Sequence, residues 1–218
     1  MTDILNSFFG NITIREKVII SPILYPKVIG DKGERTPLNY TIGNADDFTY
    51  IKCGIGPNHI GDLTLMLGKT ACKQSYLVGT VGAVSEKLNI GDVFIADSAT
   101  DGEGFSAWLK GININQAYEP SKASSTSLKK LFPNSSSGKI LTIGSLLAHN
   151  KENITGFDAV DMESSAFFSA AKQAGIEAAG IYIVSDLPLK QPLFQTTADQ
   201  QAMIKIKLNE ILKAIIKI

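Results

Sequence analysis

Between residues 158 and 186 a short apolar strand, an amphipathic helix and a second apolar strand follow one another with almost no spacer, and few folds admit that succession. Asp158–Met162 (DAVDM) reads as a strand, Glu163–Ala174 as a helix, and Gly180–Val184 (GIYIV) as a buried strand ending at Ser185-Asp186. Buried strands that alternate with helices belong to a central sheet, mostly parallel or mixed, covered on both faces. The expectation is an α/β fold with three α/β/α layers around a central mixed β-sheet.

The rest of the chain extends the pattern. Lys17–Leu24 (KVIISPIL) is β-branched and stopped by prolines at 22 and 26. Asn39–Gly43 and Phe48–Cys53 are candidate strands around the turn-like Asn44-Ala45-Asp46-Asp47. Gly54-Ile55-Gly56-Pro57 then opens a helix in which Ile60, Leu63, Thr64, Leu67 and Ala71 recur at helical spacing. Ser75–Val78, Asp92–Ala96 and Lys139–Ile143 read as strands and Ser124–Phe132 as a short helix. Thr100 to Ser127 is polar and Gly-rich, the pattern of a surface loop region. Thr197–Ile218 closes the chain as a helix with Ile204, Leu208, Ile211, Leu212 and Ile215 on one face. Without repeat, low-complexity tract or linker, the 218 residues are expected to form one domain.

Charge narrows the function classes. Lys+Arg and Asp+Glu are both 21, and that balance argues against a nucleic-acid coat or a membrane-surface protein, which need a basic excess. Arg15 and Arg35 are the only arginines, which matters because the planar guanidinium is the usual clamp for phosphate and carboxylate. Cys53 and Cys72 are far apart and read as buried free thiols of a reducing compartment. His59 and His149 match no zinc-ligand spacing with them, so neither a metal nor another cofactor is expected. The opening MTDILNSFFGNITIREK lacks a basic region followed by an apolar run, and no apolar stretch approaches a membrane span; a cytoplasmic protein is expected.

In open α/β sheets, ligands bind beyond the carboxyl ends of the strands. Three strand ends carry small or acidic groups: Gly79-Thr80, Met162-Glu163 and Ser185-Asp186. If those strands run parallel, all three meet on one rim. Each also has a plainer reading. Glu163 suits a helix start through the macrodipole, with Asp161 as N-cap. Ser185-Asp186 before Leu187-Pro188 makes an ordinary turn. Gly54-Ile55-Gly56 lacks the third glycine of a dinucleotide fingerprint and reads as a tight strand-to-helix turn.

In combination these segments resemble the nucleoside phosphorylase and nucleosidase superfamily, which includes purine nucleoside phosphorylases and methylthioadenosine/S-adenosylhomocysteine nucleosidases. The matching stretches are Cys53–Gly56, VGTVGAVSEKLNIGDVFIADSA from Val78 to Ala99, ILTIGS from Ile140 to Ser145, AVDMESSAF from Ala159 to Phe167, and IYIVSDLP from Ile181 to Pro188. The resemblance implies that Asp186 donates a proton or hydrogen bond to N7 of a purine, with Ser185 orienting it. It implies that Glu163 accepts hydrogen bonds from the ribose hydroxyls, that Met162 packs beneath the sugar, and that Thr80 lies near the nucleophile, phosphate or water. The chemistry fits these roles. Glycosidic cleavage leaves an oxocarbenium-like sugar and an electron-rich base, so an acid at the base and an anion near the sugar both lower the barrier. The resemblance also implies a small-molecule nucleoside as partner and a homo-oligomer.

The departures from the family pattern bear on the reaction. Where hexameric purine phosphorylases carry an arginine three residues before the hydroxyl, this chain has Leu77; the loop Ser21–Lys27 holds no second arginine. Lys27 is the nearby cation, and Arg35 is the candidate for reaching a neighbour's site. No acid follows Ile20, where nucleosidases keep the glutamate that activates water. The adenine-stacking aromatic falls on Leu147, with Phe105 or Phe167 as substitutes. The reading is therefore cleavage of a purine nucleoside or 5′-modified adenosine, leaning to hydrolysis. Phosphorolysis at an atypical phosphate site and nucleoside binding without catalysis are the alternatives.

Overall fold

The computed structural model of the chain describes residues 2–24, 26–105, 115–147 and 151–218. Residues 106–114 of the expected loop region, Tyr25 of the Ser21–Lys27 loop, and His149 lie outside them.

The strands, in chain order, are β1 Lys17–Ser21, β2 Glu34–Arg35, β3 Thr41–Asn44, β4 Phe48–Lys52, β5 Gln74–Ala83, β6 Val93–Gly102, β7 Ala117–Tyr118, β8 Ser136–Ile143, β9 Ala159–Asp161 and β10 Glu177–Asp186. The helices are α1 Thr2–Phe9, α2 Pro57–Leu67, α3 Lys122–Leu131, α4 Lys151–Ile154, α5 Ser164–Ala174 and α6 Ala198–Ile215, with 3-10 turns at Pro26–Ile29 and Leu193–Gln195. All the described strands join one mixed sheet. One apolar cluster gathers Ile60 and Leu63 of α2 with Phe167 and Phe168 of α5 on one side of the sheet. A second packs Leu128 of α3 and Ile204, Leu208 and Ile215 of α6 on the other. The predicted apolar face of the C-terminal helix is the buried one, and Thr197 caps it: its side chain accepts from Gln200 N–H at 3.2 Å while Gln200 Oε1 accepts from Thr197 N–H at 2.8 Å.

The sheet is bent through its longest strands. β5 lies parallel to β1 over its first half and to β10 over most of its length, while β9 pairs antiparallel with Gly82 and Ala83. β10 continues antiparallel to β6, β6 parallel to β8, and β8 parallel to β9. Strands β5, β10, β6, β8 and β9 therefore close a ring, and β1, β4, β3 and β2 run off it as an open wing. Closure leaves those five strands with ladder partners on both sides.

Several boundaries differ from the sequence expectation. Gly79–Gly82, read as the end of a strand, lies inside β5, because β10 and β9 supply ladder partners up to Ala83. β6 likewise runs on to Gly102, and β7 and the start of α3 interrupt the expected loop region. α2 stops at Leu67, leaving Ala71 exposed beyond it. α1 was not anticipated. Glu163 is the N-cap of α5, not its first residue, and has no side-chain capping bond. Asp161 accepts from the first helical N–H, that of Ser164, at 2.8 Å.

Candidate active site

The three strand ends do not all run in parallel, yet they meet. β10 is parallel to β5, whereas β9 runs back antiparallel along the end of β5, with Val160 opposite Gly82. That register carries Met162 and Glu163 back alongside Thr80. Thr80, Met162, Glu163, Ser185 and Asp186 consequently line one cleft.

A break in the ladder aims the last pair. Val184 sits opposite Val81, but the next residue opposite Gly82 is Asp186, so Ser185 is the extra residue of a β-bulge. Strict alternation sends neighbouring side chains to opposite faces of a sheet; the bulge lets Ser185 and Asp186 line the same cleft. The Ser185 hydroxyl lies 2.6 Å from Asp186 Oδ1 and 3.2 Å from the Val81 carbonyl. Its single proton has two acceptors, one of them the carboxyl it holds in place. Asp186 is buried but still open to the cleft. Gly82 makes room beside it: a Cβ there would come within 2.6 Å of the Pro188 ring.

Glu163 is held from across the sheet. The Gly56 N–H, at the start of α2, donates to its Oε1 at 2.6 Å. Gly54 and Gly56 both have positive φ, 88° and 112°, which turns the chain tightly enough to present that N–H. The turn expected from Gly54-Ile55-Gly56 is there, and it also serves the site. Burial first, and the negative charge of Asp161 second, raise the Glu163 carboxyl well above the ordinary carboxylate range, against the pull of the Gly56 N–H. Burial also raises Asp161, against hydrogen bonds from Ser164 and Thr142.

The mouth of the cleft is apolar, formed by Ile23, Ile55, Leu146, Pro188, Leu193 and Phe194. Leu147 is not among the lining residues; it is 80% exposed, and its neighbour Leu146 lines the cleft. Neither substitute aromatic reaches the cleft either. Phe167 is wholly buried in the core, and the Phe105 ring is packed against Gly61 of α2. Among the described residues the aromatic lining the cleft is Phe194, 73% exposed. The signal for it was the run Pro188–Phe194 (PLKQPLF), two prolines and an aromatic directly after a candidate site. Beyond Pro188, sequence reasoning assigned that run no element and no role.

The expected cations lie elsewhere. Lys27 is exposed on the 3-10 turn at Pro26–Ile29 and does not line the cleft. Arg35 borders a separate surface hollow with Lys52 and His59. Among the described residues the cleft is lined by no Lys, Arg or His, and no group of three His, Cys, Asp or Glu side chains is placed to hold a metal ion. Nor does any described helix have the length and apolarity to cross a membrane.

The sequence matches no curated protein. Solved structures are similar in fold at low identity. A futalosine hydrolase of Helicobacter pylori aligns with a TM-score of 0.75 at 16% identity, over 94% of this chain and 99% of its own. A uridine phosphorylase from Vibrio fischeri gives 0.72 at 21%, over 93% and 89%. A purine nucleoside phosphorylase from Toxoplasma gondii gives 0.72 at 22%, over 91% and 90%. A family model described as the phosphorylase superfamily matches residues 30–217, nearly the whole chain, and it is to this superfamily that the chain belongs.

Proposed function

We propose that this protein cleaves the N-glycosidic bond of a purine nucleoside or 5′-modified adenosine by hydrolysis. The observation that carries the reading is the convergence of Asp186, backed by Ser185, and Glu163 on one cleft beside Thr80. Asp186 gives a proton or hydrogen bond to the leaving base as the bond to the sugar stretches. The Ser185 hydroxyl can turn from the Val81 carbonyl to Asp186 Oδ1 as charge appears there, which stabilises the carboxylate left behind. Glu163 hydrogen-bonds the ribose hydroxyls, Met162 packs under the sugar, and Thr80 faces the side from which the nucleophile arrives. Water is favoured as that nucleophile by the cation-free lining among the described residues, since a phosphate dianion needs charge-assisted donors. The role of water-activating base is unassigned. Ser21, next to the position where an acid is expected, has its hydroxyl engaged by the N–H groups of Ile23 and Leu24. On this reading the protein works in purine salvage in the cytoplasm, as a homo-oligomer.

Phosphorolysis is the second reading. It rests on Arg35, which stands with Lys52 and His59 at a surface hollow accessible to a neighbouring copy. The deciding experiment incubates the pure protein with adenosine, inosine, methylthioadenosine and uridine, with and without phosphate, and follows released base by chromatography. Base and free sugar without phosphate are expected. Release only with phosphate would establish phosphorolysis, and tight binding without release would turn the reading towards a nucleoside-binding protein.

A further inference from the structure

One wall of the cleft comes from the short stretch that follows Asp186. Pro188, Pro192, Leu193 and Phe194 all line it. Apart from the 3-10 turn at Leu193–Gln195, that stretch lies outside the helices and the sheet. Its place therefore depends on individual hydrogen bonds, and these converge on Gln191. The Leu187 N–H donates to the Gln191 carbonyl at 2.9 Å, and the Gln191 N–H to the Leu187 carbonyl at 2.7 Å. That pair closes the turn carrying Pro188. The Gln191 side chain closes the next one: its Nε2 donates to the Gln195 carbonyl at 3.1 Å, spanning Pro192, Leu193 and Phe194, and to Gln200 Oε1 at 2.9 Å.

Neither amide can be turned round without loss. The Gln195 carbonyl only accepts, so the nitrogen of Gln191 faces it. The Thr197 N–H only donates, so the oxygen of Gln200 faces it. With both fixed, the remaining proton on the Gln191 nitrogen meets the Gln200 oxygen, donor to acceptor. Gln200 Oε1 is also part of the cap of α6, and α6 is anchored on the sheet by Ile204 and Leu208. The bonds from Gln195 N–H to the Pro192 carbonyl and from Thr196 N–H to the Leu193 carbonyl lie within the turn, so they fix its shape. The Gln191 side chain fixes where that turn stands. Gln191 is half-buried and does not itself line the cleft.

We propose that Gln191 is a positioning residue for substrate binding: through Gln195 and Gln200 its side chain ties the apolar wall of Leu193 and Phe194 to the capped end of α6. The effect on substrate rests on the nucleosidase reading. Asp186 is set separately, by the bulge at Ser185 and its bond with the Ser185 hydroxyl. Loosening the wall therefore costs ligand contact and leaves the aim of the acid intact, an effect that appears in KM more than in kcat.

The test uses the full chain. Gln191→Met keeps the length of the side chain and the backbone pair with Leu187 but removes the donor. Gln200→Glu is the conservative control: it keeps an acceptor for both Gln191 and the Thr197 N–H, and a carboxylate is favoured in the first turn of a helix. Hydrogen exchange in peptides within residues 187–197 is expected to speed up about three-fold or more in Gln191→Met and to stay near wild type in Gln200→Glu, with β5 unchanged in both. Unchanged exchange over 187–197 in Gln191→Met overturns the proposal. This readout needs no turnover, so a wild type that cleaves no nucleoside would sink the nucleosidase reading and still leave the clamp decided. On a nucleoside that the wild type cleaves, Gln191→Met is expected to raise KM roughly three- to ten-fold, the worth of one or two hydrogen bonds, with kcat within about two-fold. Gln200→Glu is expected to match the wild type in both constants. An unchanged KM in Gln191→Met, or a fall in kcat as large as the rise in KM, overturns the role in substrate binding.

Discussion

Replacing Asp186 by asparagine removes the proposed proton donor but keeps the side chain's outline and its place beside Ser185. Turnover is expected to fall by roughly 10²–10⁴-fold while the melting temperature hardly moves; equal losses in both would make Asp186 a turn residue and no more. Glu163 makes a different prediction, about stability. Its carboxyl, like that of Asp161, is raised in the folded chain, so the native state binds protons that the unfolded state has released. Stability from this source is present at low pH and is lost as pH rises from the ordinary carboxylate range through neutrality. Glu163→Gln is expected to flatten that decline in thermal melts between about pH 5 and pH 8, and an unchanged slope would rule out the burial effect. The identity of both acids was legible in the sequence. The rise of the Glu163 carboxyl was not, because it comes from burial and from the approach of Asp161 in the packed fold.

Among the elements, the bulge in β10 and the glycine opposite it do the aiming. Ser185 is squeezed out of register so that Asp186 pairs with Gly82, and Pro188 closes over that glycine. Gly82→Ala puts a Cβ within 2.6 Å of the proline ring, so the turn carrying Asp186 must shift. Overpacking of this kind costs about 1–3 kcal/mol, or roughly 2–10 °C in melting temperature for a chain of this length. Activity is expected to fall further than that destabilisation alone explains, and an active, merely less stable Gly82→Ala enzyme would remove the aiming role from this contact. The loop after β10 shows the limit of periodicity. Helical and strand periods located the long elements, but Phe194 sits on a single 3-10 turn, too short to carry any period. The family pattern falls on Leu147, but in this irregular segment Leu147 faces solvent and Leu146 lines the cleft.

For the whole molecule, the apolar mouth of the cleft bears on assembly. Ile55, Leu146 and Phe194 are 59%, 39% and 73% exposed, and a contiguous exposed apolar patch marks a ligand groove or a contact with another chain. Sedimentation equilibrium on the pure protein is expected to show a homo-oligomer, and a monomer at all concentrations would leave that mouth to the ligand alone. Ring closure through β5, β10, β6, β8 and β9 is also a property of the whole. The sequence by itself determined the alternation of strands and helices, the buried face of α6, the acidic strand ends and the family pattern, because each is written in local spacing and residue type. Strand direction, the bulge at Ser185, the reach of the Gly56 N–H across 107 positions to Glu163, and the exclusion of Lys27 and Arg35 from the cleft were decided only in three dimensions. Those features arise from pairing between distant segments, where backbone hydrogen bonds must be satisfied jointly, and no local window of sequence contains both partners.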